Sequence, residues 1–233
     1  EEAAGAGPEA EGSGDESEED EDCGLDEFTS EELSRRGTEA VLRFVRVPGT
    51  KEPAGLMRRI TRLALPSCAL RGRGAVAVAR LLPRATSLTS LDLSANEMGA
   101  SSVAAVCDAL LRAPGVPLAE LRLASNELGA EVATGAGVVA SLVDREAKAG
   151  RDRLTSLDLR ANGLGDRGCA IIAPALRSGG ALRTLVLAEN GVGDEGASAL
   201  AGALAKGARL QELDLSFNDV GAAGGGGPPG APP

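Results

Sequence analysis

The sequence predicts an α/β solenoid, a right-handed β-α horseshoe with a parallel sheet on its concave face and helices on its convex face. Three observations point there: a block that returns at a nearly fixed period, an alternating L-x-L at its centre, and an Ala-rich segment of helical periodicity behind it. The block reads ITRLALPSC in a degenerate first copy, then LTSLDLSAN, LAELRLASN, LTSLDLRAN, ALRTLVLAEN and LQELDLSFN. Aligned on the first position of the pattern, the copies begin at Ile60, Leu88, Leu118, Leu154, Leu182 and Leu210. Three of the five spacings are 28 residues, and the others are 30 and 36.

A period of that size with L-x-x-L-x-L-x-x-N/C-x-L marks a leucine-rich repeat. Such a unit cannot bury its apolar face alone and does so only by stacking on its neighbours. Each L-x-L suits one short strand whose leucines point into the interior. The segments ASSVAAVCDALLRA, DRGCAIIAPALRS and DEGASALAGALAKG place apolar residues three and four apart, as an amphipathic helix does. Strands stack about 4.8 Å apart, whereas packed helices need about 8–10 Å between axes, so the stack bends with the sheet inside. Two local rules are broken. Pro174 falls inside its helix, where it removes a backbone donor, and Gly135 and Gly137 weaken the helix of the copy that starts at Leu118. Both helices are expected to be irregular.

Outside the repeats the composition changes. Residues 1–28 are rich in Glu, Asp, Gly and Ser with almost no large apolar side chain, which predicts a disordered acidic tail. Residues 29–59 read as an N-terminal capping helix and loop: Thr29 and Glu32 form a capping-box pattern, Leu33, Val41, Phe44 and Val45 fall near helical spacing, and Pro48, Gly49 and Pro53 end it. The repeats occupy 60–221, and 222–233 form a Gly/Pro-rich tail of the kind that stays flexible. With no helix pattern after its strand, the last copy is expected to leave an uncovered sheet edge.

Charge is segregated. Residues 1–32 hold fifteen acids and no base, while residues 33–233 hold nineteen acids against twenty-four bases, so the net charge of −10 is the sum of an acidic tail and a mildly basic body. A body without Trp or Tyr lacks the stacking platforms of single-strand nucleic-acid binding, and no nucleic-acid partner is expected. The chain has no His, which removes the commonest metal ligand and the usual general acid–base group near pH 7. Cys23, Cys68, Cys107 and Cys169 are scattered without a C-x-x-C pair, a usage that fits a reducing compartment. No apolar run reaches the roughly 18–20 residues that span a bilayer. The expectation is a non-enzymatic, cytoplasmic or nuclear protein with no cofactor, no metal, no membrane and no small-molecule substrate. The letters of Gly135–Ala140 match a dinucleotide fingerprint, but no acidic ribose-binding residue follows in a suitable βαβ unit.

Candidate functional residues come from the strands. The ladder of Asn96, Asn126, Asn162, Asn190 and Asn218, with Cys68 in the first copy, is expected to be structural, each amide satisfying backbone groups in the turn that leaves the strand. The residues flanking the central leucine face away from the core. One such position reads Ala64, Asp92, Arg122, Asp158, Val186 and Asp214 across the copies. The other reads Arg62, Ser90, Glu120, Ser156, Thr184 and Glu212, and Arg160, Glu189 and Phe217 lie just beyond their strands. Together they make a mixed-charge stripe with an acidic bias, suited to Arg and Lys side chains of a protein partner. Phe217 is the only aromatic of the array and a candidate hot spot. The copy starting at Leu118 is longer than the others, and Arg145, Lys148, Arg151 and Arg153 make its 144–153 segment either a candidate basic binding loop or, equally, an extended, solvated helix end.

Taken together, LDLSANEMG, LRLASNELG, LDLRANGLGDRG and LVLAENGVGDEG resemble the ribonuclease-inhibitor-type leucine-rich-repeat family over about residues 60–221. That resemblance implies a protein-binding horseshoe inside the cell. Within the family, the chain is weakly similar to the Ran GTPase-activating proteins, in which an early repeat carries a Gly-Arg pair past the strand. Gly72-Arg73 loosely matches that pair and implies, as an alternative, a regulator of a Ran-type small GTPase acting through Arg73. Two features depart from those proteins: they carry their acidic segment after the repeats, and they have about twice as many of them.

Overall fold

The computed structural model describes residues 58–148, 150, 153–177 and 180–221. The acidic tail, most of the 29–59 cap, Arg151 and the 222–233 tail lie outside the described residues.

Six three-residue strands form the inner layer: β1 (Arg62–Ala64), β2 (Ser90–Asp92), β3 (Glu120–Arg122), β4 (Ser156–Asp158), β5 (Thr184–Val186) and β6 (Glu212–Asp214). They build one parallel sheet in the order β1 to β6, each strand hydrogen-bonded to the next in sequence. The register joins equivalent positions of successive copies: Leu63, Leu91, Leu121, Leu157, Leu185 and Leu213 share one row. Helices alternate with the strands: α1 (Arg71–Leu81), α2 (Gly99–Arg112), α3 (Val132–Lys148), α4 (Gly165–Leu176) and α5 (Asp194–Leu204). Each packs on the helix of the neighbouring copy. A single apolar cluster from Ile60 to Ala203 fills the space between the two layers. In β2 to β5 the strand leucines and their partners two positions on, such as Leu157 and Leu159, are fully buried. The fold is an α/β leucine-rich-repeat solenoid.

The asparagine ladder accounts for the backbone groups that the turns would otherwise orphan. Oδ1 of Asn96 accepts the Cys68 N–H at 2.9 Å and the Leu70 N–H at 3.3 Å, while its Nδ2 donates to the carbonyls of Leu65 at 2.7 Å and Leu93 at 2.8 Å. Asn126, Asn162, Asn190 and Asn218 repeat the pattern, each serving its own turn and that of the copy before it. Because the carboxamide reaches backward, the turn of the first copy is held by Asn96. Cys68 itself therefore needs no amide, and the buried thiol suffices.

Both expectations of irregular helices need correction. The α4 helix runs unbroken through Pro174 and ends two residues later at Leu176. Pro174 lies in the last turn on the exposed side, so the carbonyl of exposed Ala170 that loses its partner faces water. In α3 the departure from α-geometry sits before the glycines, as a 3-10 turn over Leu128–Glu131. Gly135 is a packing requirement there: a Cβ on it would stand 2.6 Å from the Leu128 carbonyl oxygen. Gly168 has the same role in α4, where a Cβ would meet the Leu164 Cβ at 2.6 Å.

The first half of the 144–153 segment, 144–148, is helical. The extra residues lengthen α3, whose last turn carries Arg145 and Lys148.

Candidate functional site

The sheet register brings the predicted stripe residues side by side. One row runs Arg62, Ser90, Glu120, Ser156, Thr184, Glu212, and the next runs Ala64, Asp92, Arg122, Asp158, Val186, Asp214. Within that grid the charges sort themselves. Arg122 reaches both Glu120 and Asp92, the latter at 3.7 Å, rather than its register neighbour Asp158. Arg160 reaches across two strands to Asp214 at 3.8 Å. Ser90 Oγ donates to Glu120 at 2.8 Å, and Thr184 Oγ1 donates to Glu212 at 3.4 Å.

Partial burial pushes the Glu120 carboxyl up, but the hydrogen bonds from Ser90 and Arg122 and the charges of Arg122 and Arg62 together hold it below its ordinary value. Asp214 is also held low, chiefly by its hydrogen bonds with Ser216 and then by Arg160. Among the described residues no ion pair neutralises Asp158, Glu189, Glu212 or Arg62. The acidic surplus thus falls on the last three copies and the basic one on the first.

The three aspartates carry a second task that the sequence reading missed. Oδ1 of Asp92, Asp158 and Asp214 each accepts the N–H two residues on, from Ser94, Arg160 and Ser216, at 2.9 Å. This is the local turn that Asp side chains favour. It leaves Oδ2 of Asp158 without an ion pair among the described residues, while Oδ2 of Asp92 faces Arg122 at 3.7 Å and Oδ2 of Asp214 faces Arg160 at 3.8 Å. The signal was present in the sequence: the copies that hold Asp are those reading L-D-L, while the Ala, Arg and Val copies have no acceptor to offer.

Phe217 is 84% exposed and sits at φ 54°. Ser67, Ala95, Ser125, Ala161 and Glu189 occupy the same turn position with φ of 51° to 57°. The left-handed residue belongs to the repeat, and a bulky side chain there is unusual. It holds the ring off the core, at the turn position that Glu189 occupies in the preceding copy.

The remaining candidates lie elsewhere. Lys148 pairs with Asp144 at 2.7 Å, and Arg145 is exposed on the same helix end. Arg153 donates to the carbonyls of Pro114 at 2.6 Å and Val116 at 3.0 Å, tying its segment to the preceding copy. Arg73 is exposed on α1, in the helical layer and not on the sheet. Cys107 and Cys169 are buried and their thiols are pushed up to about 12 and about 11, mainly by that burial and further by Asp108 and Asp166. Among the described residues no group of three or more His, Cys, Asp or Glu could hold a metal ion, and no helix is long and apolar enough to cross a membrane.

A concave parallel sheet backed by helices and bound turn to turn by asparagine amides defines a leucine-rich-repeat protein. A family model described as a leucine-rich repeat matches residues 84–107, 154–173, 182–201 and 210–226. Its gaps fall on the degenerate first copy and on the copy whose helix is lengthened. No curated protein matches the chain by sequence. Among solved structures, the tropomodulin C-terminal domain of Caenorhabditis elegans is 14% identical with a TM-score of 0.49, covering 61% of this chain and 83% of that one. Leiomodin-1 actin-binding site 2 is 15% identical with a TM-score of 0.39, covering 74% and 82%. At that level of likeness neither lends this chain a partner.

Proposed function

We propose that the protein is an interaction scaffold whose concave stripe takes an extended, basic segment of a partner protein. The observation that supports this most is the row of Asp92, Asp158 and Asp214, each pinned by its own backbone through Oδ1, with no ion pair on Asp158 among the described residues and only the long contacts of Arg122 at 3.7 Å and Arg160 at 3.8 Å on Oδ2 of the other two. Pre-placed carboxylates lose little freedom on binding, and alternating arginines would set the register of the incoming charges. Phe217 supplies an apolar anchor at one end of the stripe.

Titration of lysine- and arginine-bearing extended peptides, set against their glutamate counterparts, tests the reading. The variant Asp92→Asn/Asp158→Asn/Asp214→Asn keeps the backbone acceptor and removes the charge. Binding of the basic peptides at least about tenfold weaker in that variant, a difference of about 1.4 kcal/mol, is expected. Equal affinity would remove the stripe from the proposal.

A second reading, stimulation of a Ran-type small GTPase, rests on Arg73, which is exposed and has no ion pair among the described residues. GTP hydrolysis with the wild-type chain and with Arg73→Ala decides it: stimulation lost in the variant supports it, and none from the wild type ends it.

A further inference from the structure

The array is electrically polar from end to end. Between residues 58 and 91 there are seven arginines and no acid, whereas between 184 and 221 there are six acids and two bases. The arginines of the first copy are exposed on both of its layers: Arg62 on the concave side of β1, Arg73 and Arg80 on the outer side of α1. Arg73 and Arg80 are seven residues apart, so they lie on one helix face, with Val76 between them at 43% exposure. None of these three arginines forms an ion pair among the described residues, in contrast to Arg71, which Glu97 holds at 2.8 Å. The equivalent face of α4 carries Arg167, Ala170 and Pro174, so the double arginine is particular to the first copy.

We propose that this arginine-rich first copy is the docking surface for the chain's own acidic run, Asp15–Asp22, which places seven carboxylates in eight residues. Three arguments name that occupant. The charges match in sign. Residues 23–57 join the run to Arg58, so it is tethered at the basic end of the array and cannot diffuse away. The far end of the array repels it, because the surplus there is acidic. Docking goes beyond the scaffold function and is independent of it: the run would cover Arg62 and the outer face of α1 while leaving the carboxylates of the last three copies open.

Cys23 follows the run directly, and Cys68, Cys107 and Cys169 are buried, so a nitroxide reagent can be placed on Cys23 of the full chain. Paramagnetic broadening then maps where the run resides. At about 0.1 M salt, where charges are felt over roughly 10 Å, amide and arginine Hε signals of residues 61–81 should lose at least half their intensity while those of 184–220 keep theirs. At about 1 M salt, where screening shortens that reach to roughly 3 Å, the loss should vanish. It should vanish also when the run's acids are replaced by Asn and Gln, and in the Arg62→Gln/Arg73→Gln/Arg80→Gln variant, whose retained chemical-shift dispersion shows that it is folded. Uniform or absent broadening would overturn the proposal, as would broadening that survives neutralisation of the run. So would broadening that appears only between molecules, when a spin-labelled chain is mixed with an isotope-labelled one.

Discussion

A carboxamide that accepts two N–H groups of one turn and donates to carbonyls of two is hard to replace. Asn126 is fully buried, and removing its amide strands the N–H groups of Asn96 and Met98. A buried donor left unpaired costs roughly 1–3 kcal/mol, so Asn126→Ala should lower stability by about 3 kcal/mol or more, read as a shift of the urea midpoint. The aspartates of the stripe behave differently, because their geometry and their charge can be separated. Asp158→Asn keeps the acceptor for the Arg160 N–H and should leave the midpoint nearly unchanged, whereas Asp158→Ala loses that bond and should cost about 1 kcal/mol. An alanine scan of the stripe would thus confuse folding with binding. Glu120 adds a pH signature. Its folded carboxyl titrates below the ordinary glutamate value, so its contribution is complete above about pH 5 and is lost as pH falls through the lower folded value. In Glu120→Gln the fall of the urea midpoint between about pH 5 and pH 3 should be shallower than in the wild type, and identical profiles would contradict the pairing.

At the scale of elements, two glycines of α3 that look alike in the sequence should respond oppositely. Gly135 lies against the Leu128 carbonyl, while nothing stands within 4 Å of a Cβ on Gly137. Gly137→Ala should raise stability by about 0.5–1 kcal/mol, and Gly135→Ala should lower it, both by urea titration. This contrast shows what the sequence could tell and what it could not. Strand positions, register and ladder were legible because a period of 28 fixes them through the stacking that buries the leucines. The rows of the stripe followed from that register alone. Pro174 and Gly135 were misread because propensity describes an isolated helix, whereas here the neighbouring turn and the exposed last turn decide the cost; Gly137 follows propensity. The 144–153 segment read equally as a loop or as a helix end, and the i,i+4 pair of Asp144 and Lys148 accompanies a helix that runs to Lys148. The turn bonds of Asp92, Asp158 and Asp214 depend on a local geometry that only coordinates reveal.

For the whole molecule, burial is uneven along the stack. Leu157 and Leu159 in the middle are fully buried, whereas Leu210, Leu213 and Leu215 of the last copy are half-buried and Leu204 and Val220 are each 38% exposed. Protection should fall accordingly in a stack held by nearest-neighbour contacts. Hydrogen exchange is expected to be slowest at the amides of β4 and fastest at those of β6, and equal rates would argue for one all-or-none unit. The same one-dimensional arrangement separates the two ends electrically, with basic and acidic surpluses about five strand spacings apart, on the order of 24 Å.

The account turns on the aspartate row of the sheet being a binding surface and not only a solvated face. Calorimetric titration of a basic extended peptide into the wild type and into Asp92→Asn/Asp158→Asn/Asp214→Asn, with matched urea midpoints, asks this directly. Affinity about tenfold or more lower in the variant is the predicted result, and the same affinity in both proteins would contradict it.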